Sequence, residues 1–267
     1  MQSHFLQYGT SRIHYLKFGT GTRFLFCFHG YGEDASSFLF LQKTLGKDFT
    51  VIAPDLPFHG QTEWNGSLEF RPDDLKEVLN SIVPLDLQTA SFLGYSMGGR
   101  VALAMMQEIP ASVERVVLIA PDGLHKNFWY WLSTHTFAGS KLFSYTMKRP
   151  KWFFGGMKVL RKLNLLNKSI FKFAHAYLDD EEERQLLYKR WTSLRRFTPE
   201  THRLVSAISQ NKIPVRMLFG SYDRIIHSNR SSFIGNKTEM VRVKVIKAGH
   251  QLLKEKYAKE ISILFYE

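Results

Sequence analysis

One pentapeptide constrains this chain more than any other feature. Gly94-Tyr95-Ser96-Met97-Gly98 stands between a strand-like run, Ala90-Ser91-Phe92-Leu93, and a helix-like run from Arg100 to Met106. A Gly-x-Ser-x-Gly sequence in a strand-to-helix setting describes a turn so sharp that the residues flanking it must be small. Gly94 and Gly98 meet that demand, and Gly99 leaves further room for the helix to pack. Such a turn puts Ser96 Oγ on an exposed tip with a helix N-terminus behind it. The free N–H groups and partial positive charge of that terminus suit a developing oxyanion. An ordinary glycine turn with a bystander serine is the competing reading. The flanking strand and helix weigh against it.

A serine hydroxyl needs a base, and the base needs an orienting carboxylate. For this kind of turn the chain order is serine, then acid, then histidine. The last third of the chain supplies both partners. The apolar run from Pro214 to Gly220 is followed by Ser221-Tyr222-Asp223. The alternating run from Val241 to Ile246 is followed by Ala248-Gly249-His250. Ser96, Asp223 and His250 are therefore each expected just past the C-terminal end of a strand. In a parallel α/β sheet that edge is where sites form. His227 is the rival base, but it shares a loop with the proposed acid. Asp223 as a turn-former and His250 as a surface histidine are the plainer alternatives, in a chain with 10 histidines.

The run Phe24-Leu25-Phe26-Cys27-Phe28 is continuously apolar, as a strand buried on both faces should be. His29-Gly30-Tyr31-Gly32 follows it directly. An oxyanion hole takes one backbone donor after the nucleophile and one from the loop after the third strand. That assigns the donors to the backbone N–H groups of Met97 and Tyr31. His29 reads first as a loop histidine. With Tyr95 and Arg100 it is also a candidate for contact with substrate.

Five segments now carry a resemblance: His29-Gly30-Tyr31-Gly32, Asp55-Leu56-Pro57-Phe58-His59-Gly60, Gly94 to Gly99, Gly220-Ser221-Tyr222-Asp223 and Gly249-His250. Over nearly its whole length the chain resembles α/β-hydrolase-fold enzymes of the serine-nucleophile branch. The second segment resembles that family's Asp-x-x-Gly-His-Gly loop, with Phe58 where glycine is common. The resemblance implies an α/β fold, with a mostly parallel sheet, helices on both faces and a helical cap insertion. It also implies a triad of Ser96, Asp223 and His250, and no metal or organic cofactor. Ser96 disfavours the aspartate-nucleophile branches, the haloalkane dehalogenases and epoxide hydrolases. Acyl transfer to water follows, with a carboxylic ester as the expected substrate class. Three alternatives stay open. The elbow with Arg100 also resembles menaquinone-pathway lyases, in which the triad acts as base for elimination of pyruvate. A carbon–carbon bond hydrolase would use the same triad, and the fold can serve as a ligand-binding receptor.

A chain of 267 residues suits one α/β domain with an insertion. The core is expected at 1–121 and 201–267, and the helical cap at 122–200. The single cysteine, Cys27, excludes an intrachain disulfide and any paired-cysteine zinc site. It reads as inert core. Met1 to Leu6 lack a basic region followed by an apolar stretch, so no secretory leader is expected. No apolar run approaches the roughly 18 residues of a membrane span. The expectation is a cytoplasmic enzyme acting on a small acyl substrate.

The expected cap has an unusual composition. It holds 16 of the 38 aromatic residues. From Gly123 to Leu178 there is no Asp or Glu, against ten Lys or Arg. The acids cluster in Asp179-Asp180-Glu181-Glu182-Glu183, which suits a helix start. Three readings fit: a solvated helical surface with its aromatics packed inward, a pocket for an anionic or amphiphilic substrate, and peripheral contact with anionic lipid. A pI near 9.7 permits nucleic acid. No nucleic-acid-binding motif appears, so none is expected.

Overall fold

Alternating strands and helices must bury apolar faces against one another, and this chain does so around one sheet. Its structure, a computed structural model, describes residues 1–125, 127–162 and 178–267, without the side chains of 159 and 160. Among the described residues the strands are β1 (Gln2–Tyr8), β2 (Ser11–Phe18), β3 (Arg23–Phe28), β4 (Phe49–Pro54), β5 (Ala90–Tyr95), β6 (Val113–Ile119), β7 (Val215–Gly220) and β8 (Val241–Ile246). They pair in the order β1-β2-β4-β3-β5-β6-β7-β8. β2 runs antiparallel to both neighbours, and every pair from β4 across to β8 is parallel.

Side chains alternate across a strand, so the parallel strands feed two cores. Leu25 and Cys27 of β3, Val51 and Ala53 of β4, Leu93 of β5 and Val117 of β6 share one cluster with Phe38, Leu41 and Phe265. The opposite parity includes Phe26, Phe28, Phe92 and Leu118, all fully buried. Phe92 meets Phe26 and Phe28 edge-on at 6.2 and 5.7 Å. Burial on both faces explains why β3 and β5 read as unbroken apolar runs. Cys27 is fully buried, and burial pushes its thiol pKa well up.

Helices on the sheet follow their sequence signals. Short α1 (Gln42–Leu45) precedes β4, and α2 (Pro72–Ile82) starts on a proline with Asp73 and Asp74 in its first turn. Both suit a helix start. Leu75, Val78 and Leu79 form its buried face. α3 (Met97–Glu108) follows β5 directly, with buried residues from Met97 to Met106.

The chain forms two compact units: Met1–His125 with Arg196–Glu267, and Lys126–Arg195. In the second unit lie α4 (Phe128–His135), α5 (Phe137–Lys148), α6 (Lys151–Lys162) and α7 (Glu181–Ser193). Three of their starts are capped by side chains that accept an N–H: Asn127 from Tyr130, Thr136 from Gly139 and Asp180 from Glu183. Met147, Met157 and Leu178 form this unit's core with Phe143, Phe153, Phe154 and Tyr188. Buried Arg184 donates to the carbonyls of Met147 and Leu178 at 3.1 and 2.7 Å, tying α5 to the start of α7. Lys126 and residues 163–177, part of the basic aromatic run, lie outside the described residues. The first unit closes with α8 (Thr201–Asn211), α9 (Ser232–Gly235) and α10 (Ala258–Ile263). Among the described residues no helix is long and apolar enough to cross a membrane.

Two loops of the first unit are shaped by buried polar groups. Asp55, at the end of β4, accepts the Ala35 and Gln61 N–H groups at 2.7 Å each. It also accepts the His14 ring N–H at 2.7 Å, and both side chains are buried. The loop that follows holds Phe58 at φ +64°. The left-handed conformation for which glycine is common is thus kept by a phenylalanine, at a steric cost.

Candidate active site

The geometry at Ser96 follows from the glycines around it. Ser96 has φ +50° and ψ −115°, a conformation that non-glycine residues rarely hold. Its N–H donates to Ile119 O at 3.0 Å, and its carbonyl accepts from Gly99 and Asp122 at 2.9 and 2.8 Å. Space is as tight as the sequence suggested. A Cβ on Gly94 would lie 2.5 Å from Gly98 O, and one on Gly98 only 1.9 Å from Phe28 O. A Cβ on Gly99 would meet Pro121 at 2.5 Å. Side chains at these positions would push β5, α3 and the end of β3 apart.

Three strand ends converge. His250 Nε2 lies 3.0 Å from Ser96 Oγ, and His250 Nδ1 lies 2.8 Å from Asp223 Oδ2. A carboxylate only accepts, so Nδ1 carries the proton and Nε2 accepts from the serine hydroxyl. The other oxygen of Asp223, Oδ1, accepts the N–H groups of Ile225 and Ile226 at 2.8 and 2.9 Å. Asp223 is only 3% exposed, so these backbone donors replace the water that a buried charge needs. The loops bearing Asp223 and His250 are themselves joined. Tyr222 N–H donates to Ala248 O at 2.9 Å, and a Cβ on Gly220 would lie 2.3 Å from that same oxygen. His227, the rival base, is exposed and stands at the start of a short 3-10 turn.

Met97 is the first residue of α3, so its N–H has no intrahelical acceptor. Tyr31 lies in the turn after β3 that Glu33 N–H closes on Gly30 O at 3.3 Å. The contact between Gly98 and the Phe28 carbonyl brings the root of this turn against the start of α3. His29 is fully buried. Its Nδ1–H donates to Gly30 O at 2.9 Å, and its Nε2 accepts Leu56 N–H at 3.1 Å. Both ring nitrogens are thus engaged in holding two loops together. Tyr95 is buried, stands 5.6 Å from the His250 ring and donates its hydroxyl to His250 O at 3.3 Å. Burial, with Glu33 and Asp223 nearby, pushes its hydroxyl pKa up, so it remains a donor. Arg100 is 7% exposed, and its Nε lies 3.7 Å from Asp122 Oδ2. Its stem packs beneath Gly123, where a Cβ would come within 2.9 Å of it.

Glu33 was not singled out from the sequence. Its Oε2 lies 3.4 Å from Gly30 N, and burial raises its carboxyl pKa against the opposing pull of Gly30 N–H, His250 and Lys254. An acid three residues after Gly30, in a turn flanked by glycines, was the available signal. An open cavity of about 520 Å³ elsewhere on the first unit, lined by Trp64, Glu69, Arg71, Asp74 and Arg196, shares no residue with this cluster.

A sheet of this order, with an acid and a histidine brought to a strained serine at its C-terminal edge, defines the class of the chain as α/β. The family model for the alpha/beta hydrolase fold matches residues 24–257, and the chain belongs to that family. Among curated relatives, it is 36% identical over 110 residues to a dihydrolipoyllysine-residue acetyltransferase component of an acetoin cleaving system from Pseudomonas putida, covering 40% of this chain and 29% of that protein. It is 30% identical over 102 residues to a pimeloyl-[acyl-carrier protein] methyl ester esterase from Sodalis glossinidius, covering 38% of each. These matches span well under half of the relatives' lengths. A thermophilic esterase from Thermogutta terrifontis shares the fold, with a TM-score of 0.69 and 16% identity, over 100% of this chain and 98% of that one.

Proposed function

We propose that this protein is a serine hydrolase that cleaves a carboxylic ester through an acyl-enzyme. The observation that carries the reading is the continuous relay from Ser96 Oγ through His250 to Asp223, at 3.0 and 2.8 Å. In the first step Ser96 Oγ attacks the ester carbonyl carbon while its proton passes to His250 Nε2. Asp223 holds the ring and stabilises its charged form. The backbone N–H groups of Met97 and Tyr31 receive the oxyanion. The tetrahedral intermediate collapses, and the leaving alkoxide takes the proton from Nε2. Water then gives a proton to Nε2 as it attacks the acyl carbon. The second collapse releases the acid and returns the proton to Ser96 Oγ.

The methyl ester esterase among the relatives supports an ester as substrate. Arg100, the residue that pointed to a lyase, is enclosed and pairs with Asp122, which does not favour a polyanion site there. The test is a fluorophosphonate probe followed by peptide mapping, beside p-nitrophenyl esters of rising chain length. Labelling at Ser96, lost in Ser96→Ala, together with ester turnover, is the expected result. Labelling unchanged in Ser96→Ala would overturn the assignment.

A further inference from the structure

Two sets of aromatic residues stand out among the described residues of the second unit. Phe143, Phe153 and Phe154 pack with Met147 and Met157 in its core. Phe128, Trp129, Trp131, Phe137, Tyr145 and Trp152 point outward, with Trp129 and Phe137 as much as 74% and 75% exposed. Scattered exposed rings need no explanation, but a run of them does. Here five of the six exposed rings meet in two groups. Phe128 lies 5.5 Å from Trp129 and 6.4 Å from Trp131, and Tyr145 of α5 lies 6.5 Å from Trp152 of α6.

Cations are interleaved with them. On α5, Phe137, Lys141, Tyr145 and Lys148 follow at spacings of three or four, so they share one helical face. Lys141 Nζ sits 4.2 Å over the Phe137 ring, and the Arg149 guanidinium 5.9 Å from that of Tyr145. Exposed Lys151 and Lys158 continue the pattern on α6. No acid interrupts it anywhere between Gly123 and Leu178. The opposite side of α5 carries buried Thr146 and Met147.

We propose that the outward face of α4, α5 and α6 docks on the surface of anionic lipid bilayers. Trp and Tyr rings settle at the level of the headgroups with one end apolar and the other wet, and Phe rings enter the boundary with the acyl chains. Lys and Arg stems lie along apolar surface while their charges reach phosphate. An anionic leaflet attracts such cations individually, and their effects add. The alternatives match the face less well. A second copy of the chain would present the same positive charge and be repelled. Single-stranded nucleic acid stacks on rings set within a basic groove, whereas these rings stand on the outer faces of helices. The inference does not depend on the proposed hydrolase chemistry.

Co-sedimentation with vesicles tests it, read beside tryptophan emission. One set is pure phosphatidylcholine, and the other contains roughly one-third phosphatidylglycerol. The intact protein should pellet with the anionic set, with a blue shift in emission, and release as salt rises. Trp129→Ser with Phe137→Ser, and separately Lys141→Gln with Lys148→Gln and Lys151→Gln, should each lower the partition coefficient about ten-fold or more. Both variants should keep the parent's circular dichroism, because none of these side chains belongs to the core. No pelleting at low salt would overturn the proposal. So would equal affinity for neutral vesicles, variants that bind as the parent does, or displacement of the protein from anionic vesicles by a single-stranded oligonucleotide.

Discussion

Replacing Ser96 by glycine should give a more stable protein than replacing it by alanine, although alanine is the smaller chemical change. Ser96 sits at φ +50°, ψ −115°. That region belongs to the first central position of a type II′ turn and is adopted freely only by glycine. Holding a side chain there costs about 1–3 kcal/mol. Alanine retains this strain and loses the hydroxyl's bond to His250. Glycine loses the same bond but releases the strain. Glycine's greater freedom in the unfolded chain takes back about 0.4–1 kcal/mol. The difference leaves Ser96→Gly ahead of Ser96→Ala by roughly 0.5–2 kcal/mol. For a chain of this size each kcal/mol moves the melting temperature by roughly 2–4 °C. Both variants lack the serine hydroxyl, so the comparison is independent of turnover. Scanning calorimetry of the two proteins in one buffer measures it. If Ser96→Ala melts at or above Ser96→Gly, the strain argument fails, and the turn is relaxed in a way these angles do not suggest.

Three further expectations follow from the same region. His250→Ala should reduce kcat about 10⁴-fold, while His227→Ala stays near the parent; the reverse ranking would mean His227 is the base. Asp223→Asn should be nearly as damaging, for a reason of wiring. Oδ1 must still accept from Ile225 and Ile226, so the amide NH₂ would face His250 and force the proton onto Nε2, where it blocks the serine; full activity in the variant would refute this. Glu33→Gln addresses pH. The Glu33 carboxyl titrates above its ordinary value because it is buried, so the folded state binds more protons than the unfolded one in that window. Stability is therefore lost as pH rises from the ordinary carboxyl value through the raised one. Urea midpoints should show Glu33→Gln gaining on the parent as pH rises from 4 to 8, and a gain that shrinks over that range would contradict the assignment.

The sheet and the relay were legible because both depend on residues whose chemistry leaves few choices. Unbroken apolar runs such as Phe24 to Phe28 indicate burial on both faces, and β3 has it. Glycines crowded around one serine indicate a sharp turn, and backbone oxygens lie where the side chains of Gly94 and Gly98 would be. Asp223 and His250 each followed a strand, and parallel pairing of β5 through β8 brings such ends to one edge. What escaped the sequence depended on contacts distant in the chain. The buried pairing of His14 with Asp55 needs β2 and β4 to be neighbours, which no local pattern reveals. Arg100 read as a basic group available to substrate, yet Gly123, beyond the next strand, covers its stem. Phe58 stands where glycine is common, and only the network around Asp55 explains how the loop keeps a glycine's conformation without glycine. The aromatic segment was read with its rings packed inward as one choice, whereas only some of them are. Helical spacing reveals that two faces exist, but the length and course of neighbouring helices decide which face is covered.

The residues where the inserted segment leaves and re-enters the first unit also have a bearing on how such proteins can be recombined. On the way out, Asp122 N–H is bound to the carbonyl of Ser96, Pro121 fills the space beside Gly99, and the His125 ring lies 5.3 Å from that of Phe233. On the way back, Arg196 pairs with Glu69, and Phe197 stacks on Phe70 at 5.8 Å. Both stubs are fastened to the sheet-bearing unit by contacts of their own. The permissible splice points for exchanging the insert are therefore inside them, after His125 and before Arg196. A transplant cut there leaves the host's own contacts undisturbed. One cut a few residues wider, at Pro121 or Asp122, removes part of the scaffold that bends the Ser96 turn into place, and the chimera would inherit a slackened serine.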